Sequence, residues 1–216
     1  MGYISFSMPR DIVLAFKEKG DIENFVETGT FKGSTSFWAA AHFKNVYTIE
    51  IDPAISKATA SQPNCPRNIE FFVGNSKDVL PQVVSKLKGR SIFWLDGHWC
   101  NVSEFGKEDE CPLMDELKAV AALQDALILI DDARAFLGPL PSPHNSSLWP
   151  GIDDIIIICK KLFSSHRITI CDDVIYCIPP DLQSVYNNDW VEKFKLRFSN
   201  NRNSIFEKIT KHFRKV

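Results

Sequence analysis

The sequence predicts an α/β fold in which a doubly wound, mostly parallel sheet of seven strands ends in an antiparallel hairpin. Apolar runs rich in β-forming residues alternate with helical patterns, which is typical of right-handed βαβ crossovers. The first five runs are almost continuously apolar, as expected of strands that helices cover on both faces. Only Asp172 and Asp173 separate the last two runs. A crossover helix does not fit there, so these two strands must pair as a hairpin.

The individual elements follow from these runs in chain order. The strands are IENFVE, NVYTIE, IEFFV, SIFWLD, ALILID, RITIC and VIYCI, at residues 22–27, 45–50, 69–73, 91–96, 126–131, 167–171 and 174–178. Stretches of helical period predict helices at residues 9–19, 34–43, 53–60, 76–87, 112–124 and 152–163. Each of the first five strands is therefore followed by a helix, as parallel pairing requires.

Two connections are longer than is usual in a compact α/β domain, namely residues 97–111 and 133–150. Four prolines make the second one irregular rather than helical. Both connections follow the carboxyl end of a strand, which is the edge where open α/β sheets bind ligands. Their aromatic residues could stack on a sugar or on a phenol, and these residues are Trp99, Phe105, Phe136 and Trp149.

The composition suits one globular domain with a substantial core, since 44% of the 216 residues are hydrophobic and 24% are charged. The net charge of -2 is the sum of an acidic part and a basic part of the chain. Residues 192–216 hold eight Lys/Arg and two Asp/Glu, whereas residues 1–191 hold 17 and 25. We therefore predict a single domain over residues 1–191 and a basic, helical tail over residues 192–216. An acidic body argues against a nucleic-acid partner, because phosphate recognition needs clustered positive charge.

The end of the tail has the pattern of an amphipathic helix over residues 203–216. Its apolar side chains fall near one helical face, and they are Ile205, Phe206, Ile209 and Phe213. Two interpretations stay open. The helix packs on the domain with a solvated basic face, or it binds a membrane surface.

The amino terminus and the cysteines indicate a cytoplasmic protein. Arg10 and Asp11 interrupt the first apolar stretch, and no cationic region precedes it, so a secretory signal is not expected. The longest apolar run, residues 155–159, is far shorter than the ~20 residues of a transmembrane helix. Six cysteines without a CxxC pair predict reduced, mostly buried thiols. The oligomeric state stays open, with a homo-oligomer as one option.

The first strand runs into a turn of the form Gly-x-x-x-Gly, at Gly29 and Gly33. A phosphate-binding loop would need four residues between the glycines and Lys-Ser/Thr after the second, but here Lys32 precedes Gly33. A nicotinamide dinucleotide would need a glycine at position 31, where the backbone approaches the pyrophosphate. That residue is Phe31. The turn therefore favours a nucleoside ligand that has no pyrophosphate.

Two acidic residues at strand ends support a nucleoside ligand. Glu50 ends the second strand, twenty-one residues after Gly29, at the spacing where a carboxylate reaches ribose hydroxyls. Alternatively, Glu50 is an acidic residue on the surface that binds no ligand. Glu27 ends the first, central strand, where an anion is costly unless it is paired. The ammonium group of an amino-acid ligand would pair it, whereas phosphates would be repelled.

Residues 22–180 resemble the class I S-adenosylmethionine-dependent methyltransferases, through the VETGTFKGS turn, Glu50, the VGNS segment and the terminal hairpin. The resemblance implies a Rossmann-like sheet with S-adenosylmethionine as cofactor. It also implies that Glu50 binds the ribose and that Asn75 and Ser76 bind the adenine. It places Glu27, Gly29 and Gly33 around the methionine part. The other residues predicted to bind the cofactor are Thr28, Thr30, Ser34 and Asp96.

Three carboxylates and a histidine lie at or just beyond the ends of the fourth and fifth strands. Asp96, Asp131 and Asp132 would repel each other on one sheet edge without a cation, and their oxygens suit Mg²⁺ or another hard divalent ion. Helix capping and solvation of these acids form the alternative. Both Asp131 and Asp132 can bind one ion only if the strand has already turned.

His98 lies two residues beyond Asp96, at the start of a long loop. Its ordinary pKa range suits removal of a proton from a hydroxyl, which makes it a candidate general base with Asp96 beside it. A purely structural histidine is the alternative. A zinc site formed with Cys100 and Cys111 is a further option, although the spacing matches no standard zinc motif.

The segments LDGHW, CPLMDEL and LIDDAR resemble metal-dependent O-methyltransferases of the macrocin and mycinamicin sugar type. The resemblance implies that Asp96, Asp131 and Asp132 bind Mg²⁺, that His98 is the general base and that a small-molecule hydroxyl, such as that of a sugar, accepts the methyl group. The Asp-Gly-His-Trp sequence also departs from the Asp/Asn-Pro-Pro-aromatic motif of methyltransferases that act on nucleic-acid amino groups.

Two alternative functions remain. One is a cofactor-binding protein that docks a partner through its basic tail without transferring methyl groups. The other is a nicotinamide-dependent oxidoreductase, which Phe31 disfavours.

Overall fold

A computed structural model describes residues 7–196 and contains one seven-stranded sheet. The strands are β1 (Asn24–Thr28), β2 (Asn45–Glu50), β3 (Ile69–Val73), β4 (Ser91–Leu95), β5 (Leu127–Ile130), β6 (Arg167–Cys171) and β7 (Val174–Ile178). The α-helices are α1 (Arg10–Gly20), α2 (Ser34–Ala40), α3 (Pro53–Ala60), α4 (Ser76–Lys86), α5 (Leu113–Val120) and α6 (Ile152–Leu162), followed by α7 over 183–196. Short 3₁₀ helices occupy Ala133–Phe136, Ser146–Leu148 and Pro180–Leu182.

The sheet order is β3-β2-β1-β4-β5-β7-β6, and the first five strands in this order are parallel. Strand β7 runs antiparallel to both β5 and β6. The predicted fold class is therefore confirmed, including the terminal hairpin. Asp172 and Asp173 form its turn, and both adopt left-handed backbone angles, with φ of 49° and 69°.

Helices cover both faces of the sheet, as its apolar strands require. Along β4, Phe93 and Leu95 pack into the cluster formed with α4, α5 and α6, whereas Ile92 and Trp94 pack into the cluster on the side of α1 and α2. Successive side chains of a strand point to opposite faces, so one strand contributes to both clusters. Burial of these side chains fixes the register of the sheet and brings several strand ends level.

The strand ends define the site. Thr28, Leu95 and Ile130, the last residues of β1, β4 and β5, lie beside one another in the sheet. Strands β4 and β5 end one residue earlier than predicted, so Asp96 and Asp131 belong to the loops. Asp132 then adopts a left-handed φ of 54°, which shows that the chain has turned after β5.

Other predictions about the chain have mixed outcomes. All six cysteines, which lie within residues 7–196, are free thiols, and four of them are buried. Within these residues, every helix is too short or too polar to cross a membrane. The amphipathic helix predicted over residues 203–216 lies outside the described residues, as does most of the basic tail.

Candidate functional site

A cavity of about 360 Å³ opens at the carboxyl ends of the parallel strands. It brings together five of the predicted cofactor-binding residues with the predicted catalytic edge. The lining residues from these two sets are Gly29, Glu50, Asn75, Ser76, Asp96, His98, Asp131 and Asp132. Apolar side chains of the loop 97–111 and of the segment after β2 line the same cavity, and they are Ile51, Ile55, Val102 and Phe105. One continuous space therefore contains both candidate functions.

The turn after β1 passes directly over the end of β4. Gly29 has a φ of 86°, and a Cβ atom there would collide with the backbone carbonyl oxygen of Asp96. Gly33 has a φ of 77°, and its Cβ would lie 2.7 Å from Cγ2 of Thr59. Both positions therefore require glycine, for its left-handed backbone and for the close approach.

The other predicted cofactor-binding residues do not line the cavity. Glu27 is 2% exposed and accepts hydrogen bonds from the Ser36 hydroxyl and, at 2.9 Å, from the Thr48 hydroxyl. Burial raises the pKa of Glu27 to about 7, against the opposing effect of these hydrogen bonds. Among the remaining members of this set, Thr28 and Thr30 are buried, whereas Gly33 and Ser34 begin α2.

Glu50 lines the cavity, and two backbone N–H groups fix its carboxylate. Its Oε2 accepts a hydrogen bond from the Phe31 N–H at 2.8 Å, and its Oε1 accepts one from the Asp52 N–H at 3.0 Å. Each carboxylate oxygen has a second lone pair for a ligand hydroxyl. Phe31 supplies its N–H from a left-handed φ of 45°, an unusual conformation for a bulky residue.

The segment after β3 is tied to the loop 97–111. Asn75 caps α4 by accepting from the Lys77 N–H at 3.2 Å, and its Nδ2 donates to Asp109 Oδ2 at 2.8 Å. Lys77 Nζ lies 2.5 Å from the same oxygen. Further along this loop, the Ser103 hydroxyl donates to Asp52 Oδ2 at 2.8 Å. Asp109 was missed by the sequence reasoning, because it lies in a charged stretch of an irregular loop where no spacing singles it out.

Charges alternate along the edge formed by the ends of β4 and β5. His98 Nε2 lies 3.0 Å from Asp132 Oδ2, and Asp132 Oδ1 lies 2.8 Å from the guanidinium of Arg134. His98 Nδ1 lies 3.6 Å from Asp96 Oδ1. Arg134 also pairs with Asp173 of the β6–β7 turn. The sequence reasoning missed Arg134 and Asp173, which extend the predicted edge to the hairpin.

The pKa values of this edge diverge. Burial raises the pKa of Asp96 well above its ordinary value, and it also raises that of Asp131. Burial acts in the same direction on Asp132, but His98 and Arg134 outweigh it and lower the pKa of Asp132. For His98, burial lowers the pKa, whereas the hydrogen bond to Asp132 and the surrounding negative charges have the larger effect and raise it. In the His98–Asp132 pair, the pKa of the histidine is raised and that of the aspartate is lowered, so the charged form of each residue is favoured.

The fold was compared with those of known proteins. A structure from Staphylococcus aureus assigned as a caffeoyl-CoA O-methyltransferase matches 82% of this chain and 86% of its own, with a TM-score of 0.54 and 13% identity. Human Methyltransferase-like protein 13 in complex with SAH matches 82% of this chain and 87% of its own, with a TM-score of 0.51 and 11% identity. The chain has the class I methyltransferase fold. No protein-family model and no curated protein sequence matches it.

The edge of this methyltransferase fold has donors of the right chemistry for a hard cation, but their arrangement does not fit one. Among residues 7–196, no three His, Cys, Asp or Glu side chains are grouped so that they could hold a metal ion. Both oxygens of Asp132 already face His98 and Arg134, and Asp131 Oδ1 accepts the Asp132 N–H at 2.8 Å. The zinc alternative has no support on the same ground, because His98, Cys100 and Cys111 lie within residues 7–196 and form no such metal-binding group.

A buried carboxylate joins the two long loops. Glu110 is 2% exposed and accepts hydrogen bonds from Trp149 Nε1 at 2.7 Å and from the Asn145 N–H at 2.9 Å. His144 Nδ1 lies 3.1 Å from the same carboxylate. The Trp149 ring in turn lies 5.4 Å from the imidazole of His98, centroid to centroid. Glu110 thus holds the second loop against the candidate base, a role that no motif in the sequence indicated.

Proposed function

We propose that the protein is an S-adenosylmethionine-dependent O-methyltransferase that acts on a hydroxyl group of a small molecule. One observation carries this proposal. Glu50, at the position of a ribose-binding acid, and His98, the candidate base, line the same cavity of a class I methyltransferase fold. A nucleoside ligand held by Glu50 would therefore reach toward a group that can accept a proton.

Different residues of the cavity bind different parts of the cofactor. The fixed carboxylate of Glu50 accepts hydrogen bonds from the ribose hydroxyls. Asn75 and Ser76, at the start of α4, contact the adenine. Gly29 and Asp96 lie at the methionine end, where the β1 turn meets the end of β4. When bound, S-adenosylmethionine supplies a methyl group on a positively charged sulfur.

His98 removes the proton of the acceptor hydroxyl as the methyl group is transferred. With its Nε2–H held by Asp132, the imidazole presents the Nδ1 lone pair as the base. Once His98 is protonated, the carboxylates of Asp132 and Asp96 stabilise the imidazolium. Trp149 packs on the imidazole and limits its rotation. A sugar is the acceptor that the motif resemblance favours.

The proposal is tested first by calorimetric titration of the full chain with S-adenosylhomocysteine and with NAD. Binding of S-adenosylhomocysteine alone is the expected result, whereas binding of NAD would favour the oxidoreductase. The second step measures S-adenosylhomocysteine released from S-adenosylmethionine with a panel of polyhydroxylated acceptors. Release that depends on an acceptor supports the transferase. Tight cofactor binding without release on any acceptor would contradict it and favour a cofactor-binding protein.

A further inference from the structure

We propose that two copies of the protein associate through their β6 strands, which pair antiparallel about a two-fold axis and join the two seven-stranded sheets into one. The partner in this interaction is a second copy of the same chain. The residues that line the cavity belong to other parts of the chain than β6, so the inference does not rest on the proposed function.

Strand β6 is an edge strand, and within residues 7–196 it pairs with β7 alone. Both residues of the two-residue turn between them have a positive φ, as a type I′ turn requires. Cys171 and Val174, which flank this turn, therefore form a hydrogen-bonded pair. Hydrogen-bonded and non-hydrogen-bonded pairs alternate along antiparallel strands. Ile168 and Ile170 thus direct their backbone N–H and C=O groups away from β7, toward the outer edge of the sheet.

The sequence of β6 is complementary to itself in an antiparallel arrangement. With the two-fold axis at Thr169, each Ile168 lies opposite the partner's Ile170, and these two residues exchange both N–H···O=C hydrogen bonds. The isoleucine pairs lie on one face of the joined sheet, and the two Thr169 side chains meet on the other. Apolar pairs and threonine pairs both stabilise neighbouring strands. One register therefore satisfies the outward backbone groups and matches the side chains on both faces.

The charges at the ends of β6 favour the same register. Arg167, at the start of the strand, lies opposite the partner's Cys171 and next to the partner's Asp172, and symmetry forms this contact twice. The guanidinium donates to Asn187 and lies 5.3 Å from the Tyr186 ring centroid, so it is held on one face of the sheet and leaves the edge open. Its five donors allow a further contact with a carboxylate. An exposed ion pair adds little affinity, but it favours one register over others.

The surface around β6 is apolar. Ile170 is 41% exposed although it lies within a strand. On the other face of the sheet, Tyr186 of α7 packs against β6, and Trp190, also 41% exposed, stacks on Tyr186 with ring centroids 6.4 Å apart. The opposite edge strand, β3, carries Glu70, which pairs with Lys86. Charged residues on an edge strand oppose pairing with another chain, whereas the three central residues of β6 are uncharged.

The first test measures the mass of the full chain by sedimentation equilibrium over a series of concentrations. We expect the wild type to approach twice the chain mass of 24.5 kDa as the concentration rises. Ile170→Lys should raise the dissociation constant of the dimer at least about tenfold, because it places an unpaired ammonium group of each copy in the interface. Val73→Lys is the control. It adds the same charge at a 51% exposed residue of the opposite edge strand and should associate like the wild type.

Hydrogen exchange provides a second measurement, which requires no substitution. The amides of Ile168 and Ile170 should become protected as the concentration rises, whereas that of Ile128, in the interior strand β5, should be protected throughout. A wild type that is monomeric at every concentration up to about 200 μM overturns the inference. A dimer that Ile170→Lys leaves unchanged, or in which both edge amides exchange freely, also overturns it. Protection of both amides in a monomer would overturn it as well and show that another segment of the same chain covers β6.

Discussion

His98 and Asp132 form the closest histidine–carboxylate contact of the candidate site, with Nε2 and Oδ2 3.0 Å apart. The contact joins the loops after β4 and β5, two neighbouring strands whose last residues lie side by side. Asp132 can face His98 because the backbone turns to a left-handed φ of 54° directly after Asp131. The geometry of a loop, rather than that of a strand, therefore sets the orientation of the proposed base.

Asp132→Asn should lower the pKa of His98. Burial lowers this pKa, and the hydrogen bond to Asp132 is the first of the opposing effects that raise it. Because the base must be neutral, methyl transfer by the wild type should increase as the pH rises through the raised pKa, and the rise should move to lower pH in the variant. NMR titration of the imidazole measures the pKa directly, with His98→Ala to assign the signal. A His98 titration that is identical in both proteins would contradict the proposed role of Asp132.

The fold could be predicted from the sequence because its signals are local and repeated. Six of the seven strands lie within their predicted ranges, and β1 extends one residue beyond its range, to Thr28. The two-residue spacing at Asp172 and Asp173 specified the antiparallel pair. Strand ends were less accurate. The predicted range of β5 included Asp131, because no glycine or proline follows Ile130 to mark the end of the strand.

Residues that line the cavity could be predicted at the ends of strands, but contacts made by residues of the loops could not. Glu50 is the last residue of β2 and Asp96 follows β4, and both line the cavity. Asp109, Glu110 and Arg134 lie in irregular segments, where no period relates a residue to its neighbours in space. Only the folded structure shows which side chains these residues contact.

EDTA should leave methyl transfer essentially unchanged. The oxygens of Asp132 already face His98 and Arg134, so a cation there would have to displace both. The measurement follows S-adenosylhomocysteine release with EDTA and with EDTA plus excess Mg²⁺. Loss of activity that excess Mg²⁺ restores would show that Asp132 exchanges these partners for a metal.

Glu27→Gln should stabilise the protein at high pH but not at low pH. Burial raises the pKa of Glu27 from 4.5 to about 7, so the native state binds this proton more tightly than the unfolded chain. Wild-type stability therefore falls as the pH rises between these values, by at most about 3 kcal/mol. Glutamine resembles the neutral acid and removes this dependence. Urea unfolding at pH 4.5 and pH 8 measures the difference.

Glu23→Gln provides the control for this prediction. Glu23 lies on the surface, where its carboxylate pairs with Lys44. Its substitution should have a small effect that is similar at both pH values. Equal effects of Glu27→Gln at pH 4.5 and pH 8 would mean that folding does not raise the pKa of Glu27.

Gly29→Ala should destabilise the domain by about 2–4 kcal/mol, because a φ of 86° disfavours alanine and the new Cβ would collide with the Asp96 carbonyl. Affinity for S-adenosylhomocysteine should fall with it, since both residues line the cavity. Gly138→Ala is the control, because a Cβ there would meet no atom within 4 Å. Thermal unfolding and calorimetry measure the two effects. A Gly29→Ala variant as stable as Gly138→Ala would show that the turn can move away from β4.

Glu110→Gln should loosen the loop 133–150 while leaving the cofactor end of the cavity intact. The carboxylate accepts from Trp149 Nε1 and from the Asn145 N–H, whereas the glutamine NH₂ group would face one of these donors. Leaving a buried donor without an acceptor costs about 1–3 kcal/mol. Limited proteolysis with mass spectrometry should detect faster cleavage within residues 137–148.

Glu104→Gln is the matched control. Glu104 lies on the same loop as Glu110, residues 97–111, but 89% of its side chain is exposed. If both variants are cleaved at the wild-type rate, Glu110 does not hold the loops together, and the position of Trp149 over His98 must depend on its packing with Phe136 instead.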